Sequence, residues 1–146
     1  MMNNKKVLII NGANLNLLGK REVSIYGQKS FEEYLTELRN DFEGLTIDYY
    51  QSNLEGEIVN CLQRSKADYI IINAGGYTHT SVVIRDAVLA IDTPCFEVHI
   101  SNIYKREEFR HESLLSDVCK GTIIGFGLDS YRLALHYIMD KEKTEK

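Results

Sequence analysis

The chain has 146 residues, 44% of them apolar and 26% charged, with a formal net charge of −4. That is the size and balance of one globular unit able to bury a core, and the acidic charge excludes a protein that lives on nucleic acid through a basic face. No apolar run approaches the ~20 residues of a membrane helix. No secretory leader opens the chain, and Cys61, Cys95 and Cys119 are scattered and odd in number, so they read as reduced thiols of a cytoplasmic protein.

In chain order, "KKVLII" (5–10) reads as a strand. It is followed by the loop "NGANLNLLGKREVSIYG", and then by a helix with Phe31, Tyr34, Leu35, Leu38 and Phe42 on one stripe. Ser30 and Glu33 predict a capping box at that helix's start. "LTIDYY" (45–50) is the second strand, with a helical period over 54–65 after it. "ADYIII" (67–72) is the third, followed by a helix over 81–91. "PCFEVHI" (94–100) is the fourth, with Pro94 at its head, where a sheet tolerates proline. A polar, irregular crossover over 102–118 predicts a short helix within loop. "GTIIGF" (121–126) is the last strand and 128–139 the last helix. Several strands are continuously apolar, as strands covered on both faces must be. Five such units in this length predict an α/β fold: a five-stranded parallel sheet with helices on both faces, in the flavodoxin-like order, as one domain over 1–146.

Ligands in such sheets bind at the carboxyl ends of the strands. Those ends carry Asn11, Asn14, Tyr26, Asn73, His79, Glu97, His99 and Ser101, which are expected to crowd one rim. Singly each is an ordinary polar loop residue. Together, with glycines that let backbone approach closely, they predict a site. Arg106 and Arg110 flank the rim from the fourth crossover, and one of them is suited to grip a carboxylate bidentately. "THTS" before the third long helix either caps it or offers its free amides to an anion.

Two pairs carry chemistry. Arg21 lies five residues ahead of Tyr26, and a phenol, with a pKa near ~10, becomes a usable base at neutral pH when a cation stabilises its anion. Glu97 and His99 are two apart on a strand and so share a face, where the carboxylate can fix the imidazole's tautomer and raise its basicity. His111 and His136 read as structural. The spacing of cysteines and histidines fits no metal motif. "NGANLNLLG" lacks the Rossmann glycine spacing, the asparagines supply no flavin phosphate loop, and Asn11 and Asn73 stand where a phospho-receiver needs acids.

"NGANLNLLGKREVSIYG", "INAGGYTHTS", "EVHISNIYKREEFRHES" and "GFGLDSYRLAL" together resemble the type II 3-dehydroquinate dehydratases, in order over about residues 7–140. The chain departs from that family's usual prolines at Ala13 and Val23. The resemblance implies a lyase that dehydrates 3-dehydroquinate to 3-dehydroshikimate through an enolate, with no cofactor or metal, in the shikimate route to aromatic amino acids. The same step in quinate breakdown, or a non-catalytic flavodoxin-like module that binds an anion, are the alternative functions. By the resemblance Tyr26 is the base, Arg21 the cation that holds it as phenolate, and His99 the acid, oriented by Glu97. Asn14 helps hold a water that stabilises the enolate. Asn73, His79, Ile100, Ser101 and Arg110 bind substrate. Asp86 reaches a neighbouring subunit's site, which implies a homo-oligomer built on trimers, typically a dodecamer, with no nucleic-acid or membrane partner.

Overall fold

The computed structural model describes residues 4–20 and 23–144, and of Ile25 and Tyr26 the backbone alone. Five strands, β1 (Lys5–Asn11), β2 (Leu45–Gln51), β3 (Tyr69–Asn73), β4 (Cys95–His99) and β5 (Gly121–Ile124), form one sheet in the order β2-β1-β3-β4-β5. Every neighbouring pair is parallel. The helices are α1 (Val23–Tyr26), α2 (Phe31–Asp41), α3 (Glu55–Arg64), α4 (Val82–Ala90) and α5 (Asp129–Thr144). This is the flavodoxin-like arrangement expected from the alternation of strand and helix periods.

The period-2 alternation of a strand sorts each run onto two faces. Val7, Ile9, Tyr69, Ile71, Phe96 and Val98 join Phe31, Leu35 and Leu38 of α2 and Ala134, Leu135 and Ile138 of α5 in one core layer. Ile10, Ile70, Ile72 and Cys95 face the other way, onto Ile58 and Leu62 of α3 and Ile84, Ala87 and Val88 of α4. Strands buried on both faces can therefore be apolar throughout, as "YIII" is. No described helix is long and apolar enough to cross a membrane.

Local signals act where the sequence places them. Ser30 accepts from Glu33 N–H at 3.1 Å while the Glu33 carboxylate takes the Ser30 N–H at 3.3 Å, the reciprocal cap that starts α2. Ser81 Oγ caps α4 by accepting from Ile84 N–H at 3.0 Å, so the serine of "THTS" serves its own helix. Two differences from the sequence reading have simple causes. Val23–Tyr26 forms one helical turn, closed by Gly27 N–H on the Val23 carbonyl at 2.8 Å, where a loop was expected; four residues are too few to show a period. α5 runs to Thr144 because good helix formers follow its last apolar position, and Lys141 and Lys143 sit in the last turn, where the helix dipole favours cations. The fourth crossover contains two single turns, Ile103–Lys105 and Glu108–Arg110.

At the carboxyl edge the register sets Asn11 directly opposite Asn73 on the α2/α5 face. The fully buried Tyr131 of α5 fills the space beneath them. Its hydroxyl donates to Asn11 Oδ1 at 2.7 Å and accepts from Asn73 Nδ2 at 2.9 Å. Gly12 follows at once, and a Cβ there would stand 2.3 Å from the Ala74 carbonyl oxygen, so only glycine lets the two strand ends lie this close.

Tyr131→Phe removes the one hydroxyl that serves both amides. Leaving buried polar groups unmatched costs about 1–3 kcal/mol, so the urea midpoint should fall with the slope unchanged. An unaltered midpoint would mean that the two asparagines are satisfied without it.

Candidate active site

Beyond the ends of β1, β3 and β4 lies a cavity of about 160 Å³, lined by Asn14, Asn73, His79, His99, Ser101, Arg106 and Arg110, with Leu15, Leu17, Leu18 and Ile103 as apolar wall. Seven of the residues expected from the sequence are thus brought together from three strand ends and one crossover.

β4 supplies the titratable centre. Cys95, Glu97 and His99 point to the α3/α4 side, opposite Phe96, Val98 and Ile100. Glu97 has no solvent exposure and His99 is 5% exposed. The His99 Nε2 atom lies 2.5 Å from Glu97 Oε2. Glu97 is held from three further directions. Ser113 Oγ donates to Oε2 at 2.7 Å, Ser116 Oγ to Oε1 at 2.5 Å and Thr122 Oγ1 to Oε1 at 3.1 Å. Burial pushes the Glu97 carboxyl up, but the hydrogen bond and charge of His99, with the Ser116 and Ser113 hydroxyls, more than reverse this and hold it below the usual carboxylate value. A carboxylate that stays ionised fixes Nε2 of His99 as a donor and turns Nδ1 away from it.

His79 faces His99 with ring centroids 6.4 Å apart. Its Nδ1 lies 2.7 Å from the Glu112 carbonyl, which can only accept, so Nδ1 carries the proton and Nε2 is an acceptor. Burial lowers its pKa, and the nearby charges of His99 and Arg110 add to this against the bond to Glu112. His79 is therefore a neutral hydrogen-bonding group at the cavity wall. Asn73 is oriented with equal care. Its Oδ1 takes the N–H of Gly75, whose φ of 62° bends the chain sharply after β3. One hydrogen of its Nδ2 goes to Tyr131, which leaves the other. Arg110 lines the cavity with its Nε on Glu107 at 2.8 Å. Asn14 has a φ of 70°, a left-handed conformation that asparagine tolerates better than most residues, and its N–H is taken by Asn53 Oδ1 at 3.0 Å.

Of the remaining expected residues, Glu97, Ile100 and Asp86 stand apart from the lining. Glu97 lies behind His99. The Ile100 side chain packs in the core on the opposite face, so its approach to a ligand is through its main chain. Asp86 is on the exposed side of α4. Tyr26 ends α1, and Arg21 lies outside the described residues. His111 and His136 have structural partners, the Arg106 carbonyl at 3.0 Å and the Phe42 ring with centroids 4.8 Å apart.

Other tyrosines near the site are poor bases. Burial, reinforced by Asp129, pushes the Tyr34 hydroxyl up; burial takes Tyr49 to about 12 against its bond with Asn11; and burial raises Tyr131 as well. The three free cysteines are also raised, each mainly by burial. Sequence reasoning missed the hydroxyls around Glu97. Thr122 was accessible through register alone, since it stands directly opposite Glu97 on the neighbouring strand. Ser113 and Ser116 sit in a crossover without period and left no signal.

A family model described as dehydroquinase class II matches residues 5–139. The 3-dehydroquinate dehydratase of Francisella philomiragia is 58% identical over 131 residues, 88% of this chain and 90% of that protein. That of Nitratiruptor sp. is 54% identical over 134 residues, 89% of this chain and 86% of its own. The crystal structure of type II dehydroquinase from Butyrivibrio crossotus superposes with a TM-score of 0.86 at 44% identity, covering 92% of this chain and 97% of that one.

The Glu97 environment has a pH signature. Its folded value is below the unfolded one, so its contribution to stability is complete above the unfolded carboxyl value of ~4.3 and is lost as the pH falls through the folded value. The stability gap between the native chain and Glu97→Gln should be widest at neutral pH and narrow in acid. Acid titrations of both, followed by circular dichroism, test this, and a gap independent of pH would contradict it.

Proposed function

The chain belongs to the dehydroquinase class II family, and from that premise we propose that it dehydrates 3-dehydroquinate to 3-dehydroshikimate through an enolate, in the shikimate route to aromatic amino acids. It is an enzyme, a hydro-lyase. The observation that carries the reading is the buried Glu97–His99 pair at the wall of a polar cavity. It sets an imidazole, anchored by a carboxylate, beside a cavity lined by amide, hydroxyl and guanidinium groups.

A proton next to a ketone is removed only by a strong base. Tyr26, kept as phenolate by Arg21, takes that proton, and the electron pair moves onto the ketone oxygen as an enolate. Asn14, through a bound water, stabilises the oxyanion. The enolate then reforms the ketone and expels the hydroxyl on the neighbouring carbon, which leaves as water with a proton from His99. A C–H and a C–O bond break, a C=C bond forms, and the proton on Tyr26 is returned through solvent to restore His99. Asn73, His79, Ser101, Arg110 and the main chain at Ile100 hold the hydroxyls and carboxylate of the substrate. No cofactor or metal takes part. Among the described residues no cluster of three His, Cys, Asp or Glu is placed to hold an ion.

The working form is a trimer-based, dodecameric homo-oligomer of single 1–146 domains in the cytoplasm. It is supported by the outward face of α4, where Asp86 stands beside Val82, Val83 and Leu89, all more than half exposed. A subunit packed there would cover this apolar surface and receive Asp86 in its own site.

Formation of the conjugated enone, read by ultraviolet absorbance, tests the activity; tight binding of 3-dehydroquinate without turnover would reduce the protein to a binding module. The proton steps separate in heavy water. Tyr26→Phe should abolish both dehydration and exchange of the substrate's alpha proton, whereas His99→Ala should lose dehydration about 10²–10⁴-fold, the usual worth of a positioned acid, yet retain exchange. Equal exchange in the two variants would show that the base is misassigned. Arg21→Gln should move the acidic limb of the pH–rate profile upward, because Tyr26 then ionises nearer its free value; an unmoved limb would remove Arg21 from the mechanism.

A further inference from the structure

We propose that Ser113, Ser116 and Thr122 are positioning residues that saturate the Glu97 carboxylate and thereby keep the shared proton on His99, setting its strength as an acid. The inference rests on the functional reading above and extends it to side chains that touch no substrate.

An ionised carboxylate has about four acceptor positions. In Glu97 all four are taken: Oε2 by His99 Nε2 at 2.5 Å and Ser113 Oγ at 2.7 Å, Oε1 by Ser116 Oγ at 2.5 Å and Thr122 Oγ1 at 3.1 Å. The direction of the Ser113 bond is forced. Its oxygen already accepts from the N–H groups of Leu115 at 3.0 Å and Ser116 at 3.2 Å, so its hydrogen has only the carboxylate to serve. The segment carrying the two serines is pinned from outside. Arg85 of α4 holds the Asp117 carboxylate and donates to the Leu114 carbonyl at 2.9 Å, and Leu114 N–H reaches the Thr78 carbonyl at 2.9 Å.

A proton on Glu97 would oppose one of these donors, so the pair's proton remains on the imidazole. Each hydroxyl also draws charge from the carboxylate and weakens its pull on the imidazolium. An acid must hold its proton until the leaving group needs it and then give it readily, so the charge on its carboxylate partner matters to both. Removing one makes Glu97 more basic, strengthens its hold on protonated His99 and raises the pH at which His99 titrates. The other groups around the pair are His79 from the turn after β3, Arg106 and Arg110 from the crossover, and Cys119 before β5. They stay the same in every variant below.

Ser116→Ala and Thr122→Val are the test variants, since Ser113 also shapes its own turn. Thr122→Ser keeps the hydroxyl and serves as the conservative control. The His99 ring signals are followed by NMR across pH, and turnover of 3-dehydroquinate is measured over the same range. The His99 midpoint should rise by about 0.5 unit in each hydroxyl-deleted variant, further in the double variant, and should stay at the native value in Thr122→Ser. The alkaline limb of kcat should rise with it while KM is unchanged. A folded variant with an unmoved or lowered midpoint overturns the inference. Native protein that fails to turn over substrate refutes the proposed function instead, and the NMR midpoints still judge the role of the hydroxyls.

Discussion

A carboxylate buried without any solvent contact is the constraint around which the carboxyl edge of this sheet is organised. An ion of that kind loses several kcal/mol of hydration, which is recovered only when every remaining acceptor position meets a donor in good geometry. Glu97 meets four donors. The path of the chain from Ile100 to Gly121 follows from this requirement. It must leave β4, cross the cavity mouth with Arg106 and Arg110, return beneath Glu97 with two serines, and enter β5 so that Thr122 stands opposite.

The second polar anchor obeys the same logic with neutral groups. Asn11 and Asn73 stand side by side because parallel strands place equivalent positions opposite one another. Their amides are fixed by Tyr131, so the group that Asn73 offers to the cavity is chosen within the core. The Tyr131 hydroxyl serves both amides at once, and Tyr49 and the Gly75 N–H supply further partners, so this anchor is built from neutral groups throughout.

The strands and long helices were legible in the sequence because their periods match their burial: "YIII" lies between two core layers, and the stripe from Phe31 to Phe42 faces one of them. The pairing of Glu97 with His99 was equally legible, since two residues apart on a strand is a geometric statement. What could not be read were contacts between distant positions. Asn73 and Tyr131 are 58 residues apart, and Glu97 and Thr122 are 25 apart. Neither contact has a local pattern: the first depends on how α5 docks, and the second follows only once the register of β4 against β5 is known. The single turn of α1 escaped for the opposite reason, being shorter than one period of the signal that identifies helices. Arg21 and the side chain of Tyr26, the pair on which the sequence reading of the base depends, lie outside the described part of the structure.

The two anchors lie on opposite faces of the sheet, and this has a consequence for how the site is kept in shape. Asn73 is set from the α2/α5 layer through Tyr131, whereas His99 is set from the α3/α4 side through Glu97. β3 and β4 are hydrogen-bonded neighbours, so the cavity spans the line along which the two layers meet. Interiors packed at crystal-like density transmit displacement with little loss. A shift of α5 against the sheet would therefore reach the Asn73 amide through Tyr131 and the His99 main chain through the Ser130 hydroxyl on its carbonyl, whereas a shift of the crossover against α4 would act on the imidazole through Glu97. Holding a substrate hydroxyl and its proton donor in register requires both layers to be well packed at once. That is a physical reason for a small domain to build its site on the ends of central strands, with each functional side chain tied to a different half of the core.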